Sequence, residues 1–419
     1  MTTFLKIAGM TLASMGSLLF NPLFWMVTGI TAFMYNKSAK LEDTMLGYNT
    51  PLWEKVAYSL LAGLLGGILG SSISVFLGIT IEQYMGQEGV LNSGLLYIWV
   101  IALLLSLLNP RYLCFSYAGG IVALVNLITG FPNINAVGIV ALVGILHLVE
   151  SMLIWIDGYS SAVPAFFKLK DDQIVGGYIM NRIWPLPMLV LFITLTTAGA
   201  GDSVSMPEWW PIIKQAGITT DNLMYIMQPI PVVLGYGDIA ITKNPTKRCR
   251  DSAARLSIYS IVLIILSALA SKINVFAYFA ALFAPIGHEL LILYNQKEEE
   301  KGIPYFSYAK NGLKVLYCKK DSPGSKMNIE PGDTLKSINN ASINNEAELR
   351  EILDEYPPYI WIDILKADGR RKTVEYKDYN KGISNLGIII VPEKANLYFE
   401  INKGSPLLKR LKGMIKRQK

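Results

Sequence analysis

The sequence predicts an α-helical multi-pass membrane domain of eight or nine spans followed by a small α+β domain. Two observations carry this. The chain of 419 residues is 52% hydrophobic with a mean hydropathy of +0.36, too apolar for an ordinary soluble protein, and its 17% of charged residues gather late. Beyond residue 310 the long apolar runs give way to short alternating segments and one amphipathic helix. Four regions follow: a membrane domain over 1–295, a charged linker over 296–309, a compact module over 310–400 and a basic tail over 401–419.

A spanning helix needs roughly 20 apolar residues. Candidate spans are 20–35 (with Pro22), 56–79, 91–108, 112–129, 134–156, 183–198 (kinked by Pro185 and Pro187), 223–241 (broken by Pro229, Pro231 and glycines), 256–269 and 275–294. The apolar stretch 4–19 reads as an interfacial helix or half a hairpin, and residues 1–20 hold only Lys6 and no small-residue cleavage pattern, unlike a cleavable signal peptide. Lysine and arginine concentrate in alternate loops: Lys37, Lys40 and Lys55, then Arg111, then Lys168, Lys170 and Arg182, then Lys243, Lys247, Arg248, Arg250 and Arg255. The loops between them, 82–92, 130–133 and 201–222, are acidic or uncharged but for Lys214, and Lys272 is an exception. Cytoplasmic loops carry the excess of basic residues, so this alternation places the basic loops and everything after Tyr294 in the cytoplasm of a cell membrane. The net charge of +6 is thereby explained by topology; the basic loops are too short and too close to lipid to argue for nucleic acid.

The module is legible element by element. Asn345 with Glu348 reads as a capping box, and Leu349, Ile352, Leu353 and Tyr356 then share one helical face that Pro357-Pro358 ends. Ile360, Ile362 and Ile364 alternate with Trp361, Asp363 and Leu365 as a strand, Asp368-Gly369 turns the chain, Val374 and Tyr376 continue the return strand, and 386–391 forms another strand. Before these come Gly312 to Leu316, Ser322-Pro323-Gly324, the corner Pro331-Gly332-Asp333 and Ile338-Asn339-Asn340. These motifs resemble the bacterial type of PDZ domain, with Gly324 where that family has alanine and Asn340 where it has glycine. The resemblance implies an extended peptide added beside a sheet edge: Leu386, Gly387, Ile388 and Ile389 as carboxylate loop and strand, and the helix bearing Leu349, Ile352 and Leu353 as the facing wall. The strand comes late in the chain, which implies a permuted strand order; a closed groove with 386–391 as a plain core strand is the alternative.

Many spans followed by one such module resemble the polytopic PDZ membrane proteins of Gram-positive bacteria, the MinJ-like division-topology family. Asn21-Pro22-Leu23-Phe24 and Pro285-Ile286-Gly287-His288-Glu289 add to that likeness. It implies a non-enzymatic membrane scaffold that recruits cytoplasmic or membrane proteins in placing the division site.

Polar groups inside lipid are site candidates by default. Here they are His147 and Glu150, one turn apart, Asp238, and His288 with Glu289. They support the alternative function, a membrane enzyme or transporter. An intramembrane metalloprotease would need H-E-x-x-H, and Ile292 stands where the second histidine belongs. No metal, cofactor or catalytic residue is therefore expected, and His147 with Glu150 reads as a hydrogen-bonded pair between helices. No G-x-S-x-G or phosphate-binding glycine loop occurs, and Cys114, Cys249 and Cys318 lie far apart with no C-x-x-C. Gly63, Gly66, Gly67 and Gly70 form a close-packing face, within the chain or in a homo-oligomer. Arg182 with Trp184 reads as an interface anchor. In the tail, Leu408, Leu411, Met414 and Ile415 share a face among cations, suited to anionic membrane lipids or to a solvated basic tail.

Overall fold

The computed structural model describes residues 2–81, 94–132, 134–169, 171–195, 204–214 and 223–400. The expected basic tail over 401–419 and the acidic loop over 82–92 lie outside these residues. The helices begin with α1 (Thr2–Ser17), α2 (Pro22–Leu46), α3 (Leu52–Leu77), α4 (Gly94–Leu108), α5 (Phe115–Thr129) and α6 (Ala136–Asp157). Strands β1 (Val163–Lys168), β2 (Ile174–Leu195) and β3 (Leu223–Ala240) follow, then α7 (Pro245–Ala270) and α8 (Val275–Lys301). Among the described residues four helices, α3, α6, α7 and α8, are long and apolar enough to cross a membrane; the pair made by α1 and α2, bent by 69°, makes a fifth if it counts as one span.

Two segments expected as helical spans are strands instead: 183–195 belongs to β2, and β3 occupies 223–240. The prolines decide this. Pro185 with Pro187, and Pro229 with Pro231, would each delete helix hydrogen bonds and clash with the preceding turn. In a strand, residues two apart face the same edge, so each pair leaves its missing donors on one side and spares the other. On its other side β2 pairs with β3.

The donor-poor edge of β2 lies along α3. A Cβ added at Gly63 would sit 2.1 Å from the Pro185 carbonyl oxygen, and one at Gly67 would sit 2.2 Å from that of Pro187. One step before, the Ile183 N–H donates to Tyr35 Oη at 3.0 Å, and Tyr35 Oη meets Ser59 Oγ at 2.7 Å. One step beyond, the Leu189 N–H donates to Ser71 Oγ at 2.9 Å. Residues 59, 63, 67 and 71 of α3 thus face 183, 185, 187 and 189 of β2. Four helical residues rise about 6 Å and two strand residues about 6.6 Å, so the two registers stay nearly in phase. Gly66 and Gly70 turn to α6, where added Cβ atoms would meet Val149 at 3.0 and 3.1 Å. The glycine face therefore packs within the chain. Arg182 and Trp184 both bind Asp157 at the end of α6, Arg182 through Nε at 2.8 Å and Trp184 through Nε1 at 2.8 Å.

The fold divides into two compact units, one of residues 1–160, 181–236 and 249–295, the other of 161–180, 237–248 and 296–419. The second holds β4 (Phe306–Ser307), β5 (Leu313–Cys318), α9 (Pro323–Lys326), β6 (Thr334–Ile338), β7 (Ala341–Ser342), α10 (Glu346–Asp354), β8 (Tyr359–Leu365), β9 (Arg371–Lys377), β10 (Ile388–Ile390) and β11 (Phe399–Glu400). One sheet runs β11-β1-β2-β3 with β4 on β2; the other runs β10-β5-β6-β8-β9 with β7 on β6. The sheets meet in this unit where an added Cβ at Gly176 would press on Leu316, Phe306 and Val391.

Residues 296–301, expected as the start of a charged linker, are the last turns of α8. Their acids hold Arg248, which is fully buried. Its guanidinium reaches Asp238 at 2.8 Å, Glu298 at 3.0 Å and Glu299 at 3.3 Å. Glu299 also accepts the Ile241 and Thr242 N–H groups at 2.7 and 2.8 Å.

Gly67→Val should lower the melting temperature of the detergent-purified chain, because its Cβ meets backbone that cannot give way; overpacking of this kind costs about 1–3 kcal/mol or more. Gly29→Ala, with nothing within 4 Å, should not lower it comparably. Arg248→Met strands three carboxylates and should destabilise the second unit by about 3–5 kcal/mol, read as earlier denaturant unfolding of the Trp361 fluorescence in a chain keeping that tryptophan alone.

Candidate functional site

The module edge is built from a short loop and a strand. Gly387 sits at φ +69°, a left-handed conformation, and a Cβ there would lie 2.4 Å from Ser322 Cβ. Its carbonyl accepts from the Lys319 N–H at 2.7 Å, while the Leu386 carbonyl accepts from the Gly324 N–H at 2.9 Å. A side chain at Gly324 would meet that same carbonyl at 2.8 Å, which explains glycine there in place of alanine. From this loop β10 runs antiparallel to β5, with Ile388 opposite Cys318 and Ile389 opposite Tyr317. Among the described strands β10 pairs with β5 alone and ends its sheet. Ile388 and Ile389 are half-buried, whereas Leu386 and Ile390 are buried.

The helix α10 is capped as its sequence implies. Asn345 Oδ1 accepts the Glu348 N–H at 3.0 Å, and Glu348 Oε2 accepts the Asn344 N–H at 2.7 Å. Leu349 and Leu353 enter the core that Leu313, Val315, Ile360 and Leu386 share, with Ile352 and Ile388 packed against it. All seven residues expected at a peptide groove thus lie on β10, its leading loop and α10. At the far corner, Asp333 Oδ2 accepts from the Glu330 N–H at 2.9 Å and from Lys366 Nζ at 2.8 Å. Asn340 is left-handed at φ +67°, the conformation its place demands. Burial pushes the Cys318 thiol up against the opposing Ser322 hydroxyl, so this half-buried cysteine is protonated at neutral pH and a poor nucleophile.

The intramembrane candidates fall into separate groups. His147, on α6, donates through Nδ1–H to the Val143 carbonyl at 2.8 Å and presents Nε2 to Cys114 Sγ at 3.1 Å. His288, on α8 three residues after Pro285, presents Nε2 to the same sulfur at 3.8 Å. The two imidazole centroids are 5.0 Å apart, and Tyr259 lies 5.5 and 5.8 Å from them. His147 therefore reaches Val143 and Cys114, not Glu150 as expected, because its ring turns toward the start of α5. Glu289 instead accepts from Tyr117 Oη at 2.6 Å and pairs with Arg111 at 2.8 Å. Asp238 belongs to the second unit, in the Arg248 network. Sequence reasoning missed Cys114. It caps α5 after the Asn109-Pro110 break, 33 residues from His147 and 174 from His288, so no local spacing marks it. Cys114, His147 and His288 are the described residues that could hold a metal ion, their ligand atoms lying within 4.8 Å of one another.

No family model matches the chain. Over 396 residues it is 23% identical to the cell division topological determinant MinJ of Bacillus subtilis, covering 91% of this chain and 95% of that protein. Over 86 residues it is 28% identical to probable MinJ proteins of Lacticaseibacillus paracasei and Lacticaseibacillus casei, 20% of this chain and 23% of each relative. With similarity along nearly its whole length, the chain is homologous to MinJ, a cell division topological determinant of Gram-positive bacteria.

Proposed function

We propose that the chain is a multi-pass membrane scaffold of division-site placement whose C-terminal module, PDZ-like in its motifs, takes extended segments of cytoplasmic partners onto β10. The observation that carries this is the terminal position of β10 in its sheet, entered through the left-handed Gly387 loop and sharing a core with α10. An unpaired strand edge supplies a row of backbone donors and acceptors, and a neighbouring helix supplies side-chain selectivity. The half-buried Ile388 and Ile389 give such a segment apolar surface to cover. Homology to MinJ supplies the cellular role. The cytoplasmic side is supported by the basic run Lys243, Lys247, Arg248 and Arg250, of which Lys243 and Arg248 pair with Glu298 at the end of α8, just before the module.

Two measurements test this. A photocrosslinking amino acid placed at Ile389 in the full chain should capture a division protein in the cell, and Ile388→Arg should cut that adduct at least fivefold while the chain still inserts. The same probe at Thr373, on β9, should capture none; equal capture from both positions would count against the groove. Lys320→Cys in a chain lacking its three native cysteines should react with a membrane-impermeant thiol reagent only after the cell is opened. Labelling of intact cells would place the module outside.

A further inference from the structure

We propose that Cys114, His147 and His288 form a transition-metal site, selective for zinc, that ties α6, α8 and the start of α5 together. Three donors of the right softness converge from three elements: a cysteine sulfur and two imidazole nitrogens. Thiolate and imidazole favour zinc or copper over magnesium and calcium. With Zn–S near 2.3 Å and Zn–N near 2.0–2.1 Å, a tetrahedral ion sets its sulfur and nitrogen ligands about 3.6 Å apart. The two Sγ–Nε2 distances, 3.1 and 3.8 Å, bracket that value.

The surroundings need such an ion. His147 Nδ1 is held by the Val143 carbonyl, which fixes the ring tautomer with its lone pair on Nε2, facing the sulfur. Metal-bound histidines are oriented in this way by a carbonyl or carboxylate on the other nitrogen. His288 is buried, its Nδ1 has no hydrogen-bond partner among the described residues, and its Nε2 has only the distant sulfur. A buried imidazole so poorly satisfied is costly, and coordination relieves it. The thiolate that coordination creates offsets part of the ion's charge, which lowers the cost of holding the ion in an apolar helix bundle. Binding replaces the Cys114 thiol proton, which leaves to solvent, and involves no redox change. Three protein ligands leave a fourth position for a water.

The test uses the full chain in detergent, stripped with a chelator and reloaded with zinc or cobalt. About one zinc ion per chain should bind and raise the melting temperature, and cobalt should give a thiolate charge-transfer band that one equivalent of zinc abolishes. Cys114→Ser and His147→Gln should lower zinc uptake at least tenfold, whereas Cys318→Ser should keep it. A wild-type chain that melts cooperatively yet takes up neither metal would overturn the site, and so would a Cys114→Ser chain with full uptake. If Cys114→Ser does not fold, the cobalt band of the wild type decides: its absence overturns the site, and its presence and displacement by zinc support it.

Discussion

The fold rests on a match of register between one helix and one strand. Buried backbone donors must find acceptors, and an extended strand among apolar helices has no water to turn to. Along α3, residues spaced by four present hydroxyl, glycine, glycine and hydroxyl to β2 residues spaced by two. Where α3 has no acceptor, at Gly63 and Gly67, β2 has proline and no donor. Where β2 regains an N–H, at Ile183 and Leu189, Tyr35 and Ser71 accept it. The carbonyls of Pro185 and Pro187 meet glycine in place of a side chain, a close approach that suits weak Cα–H···O contacts. One step past Leu189, residue 191 bridges to Thr80 beyond the end of α3. The strand edge is thereby accounted for residue by residue, and the rest of the first unit can pack around it.

This arrangement was half legible in the sequence. The glycine stripe of α3 announces a close neighbour, but its spacing is the same whether the neighbour is a helix or a strand. The two proline pairs read as kinks because their surroundings are apolar over a helical length; the i, i+2 spacing is the signal that points to a strand. Composition alone cannot separate a buried strand from a buried helix. In the C-terminal module the helix cap, alternating isoleucines and left-handed Asn340 were legible, since these are local signals whose physics does not depend on distant residues. The charged stretch after Tyr294 misled because charge at a helix end reads as a linker; its acids serve a buried arginine some 50 residues earlier.

The sites divide along the same line. The residues expected at the module edge lie on two short local motifs, α10 and the loop into β10, each of which can be read without reference to distant residues. The Cys114 cluster joins three distant points of the chain, and His147 and His288 gave no sign of sharing a sulfur. The two proposals ask different things of the chain: the edge would offer backbone groups to another protein, and the cluster would fasten three elements of the first unit.

Strand addition to β10 is the claim on which the functional account turns. Amide hydrogen exchange of the full chain, compared between membranes from the producing cell and the detergent-purified chain, reads it directly. Slower exchange in the cell membranes, confined to the amides of β10 and the backbone of α10, is expected if a partner segment occupies the edge. Equal exchange at β10 in the two preparations, with partners still present in the membranes, would contradict it.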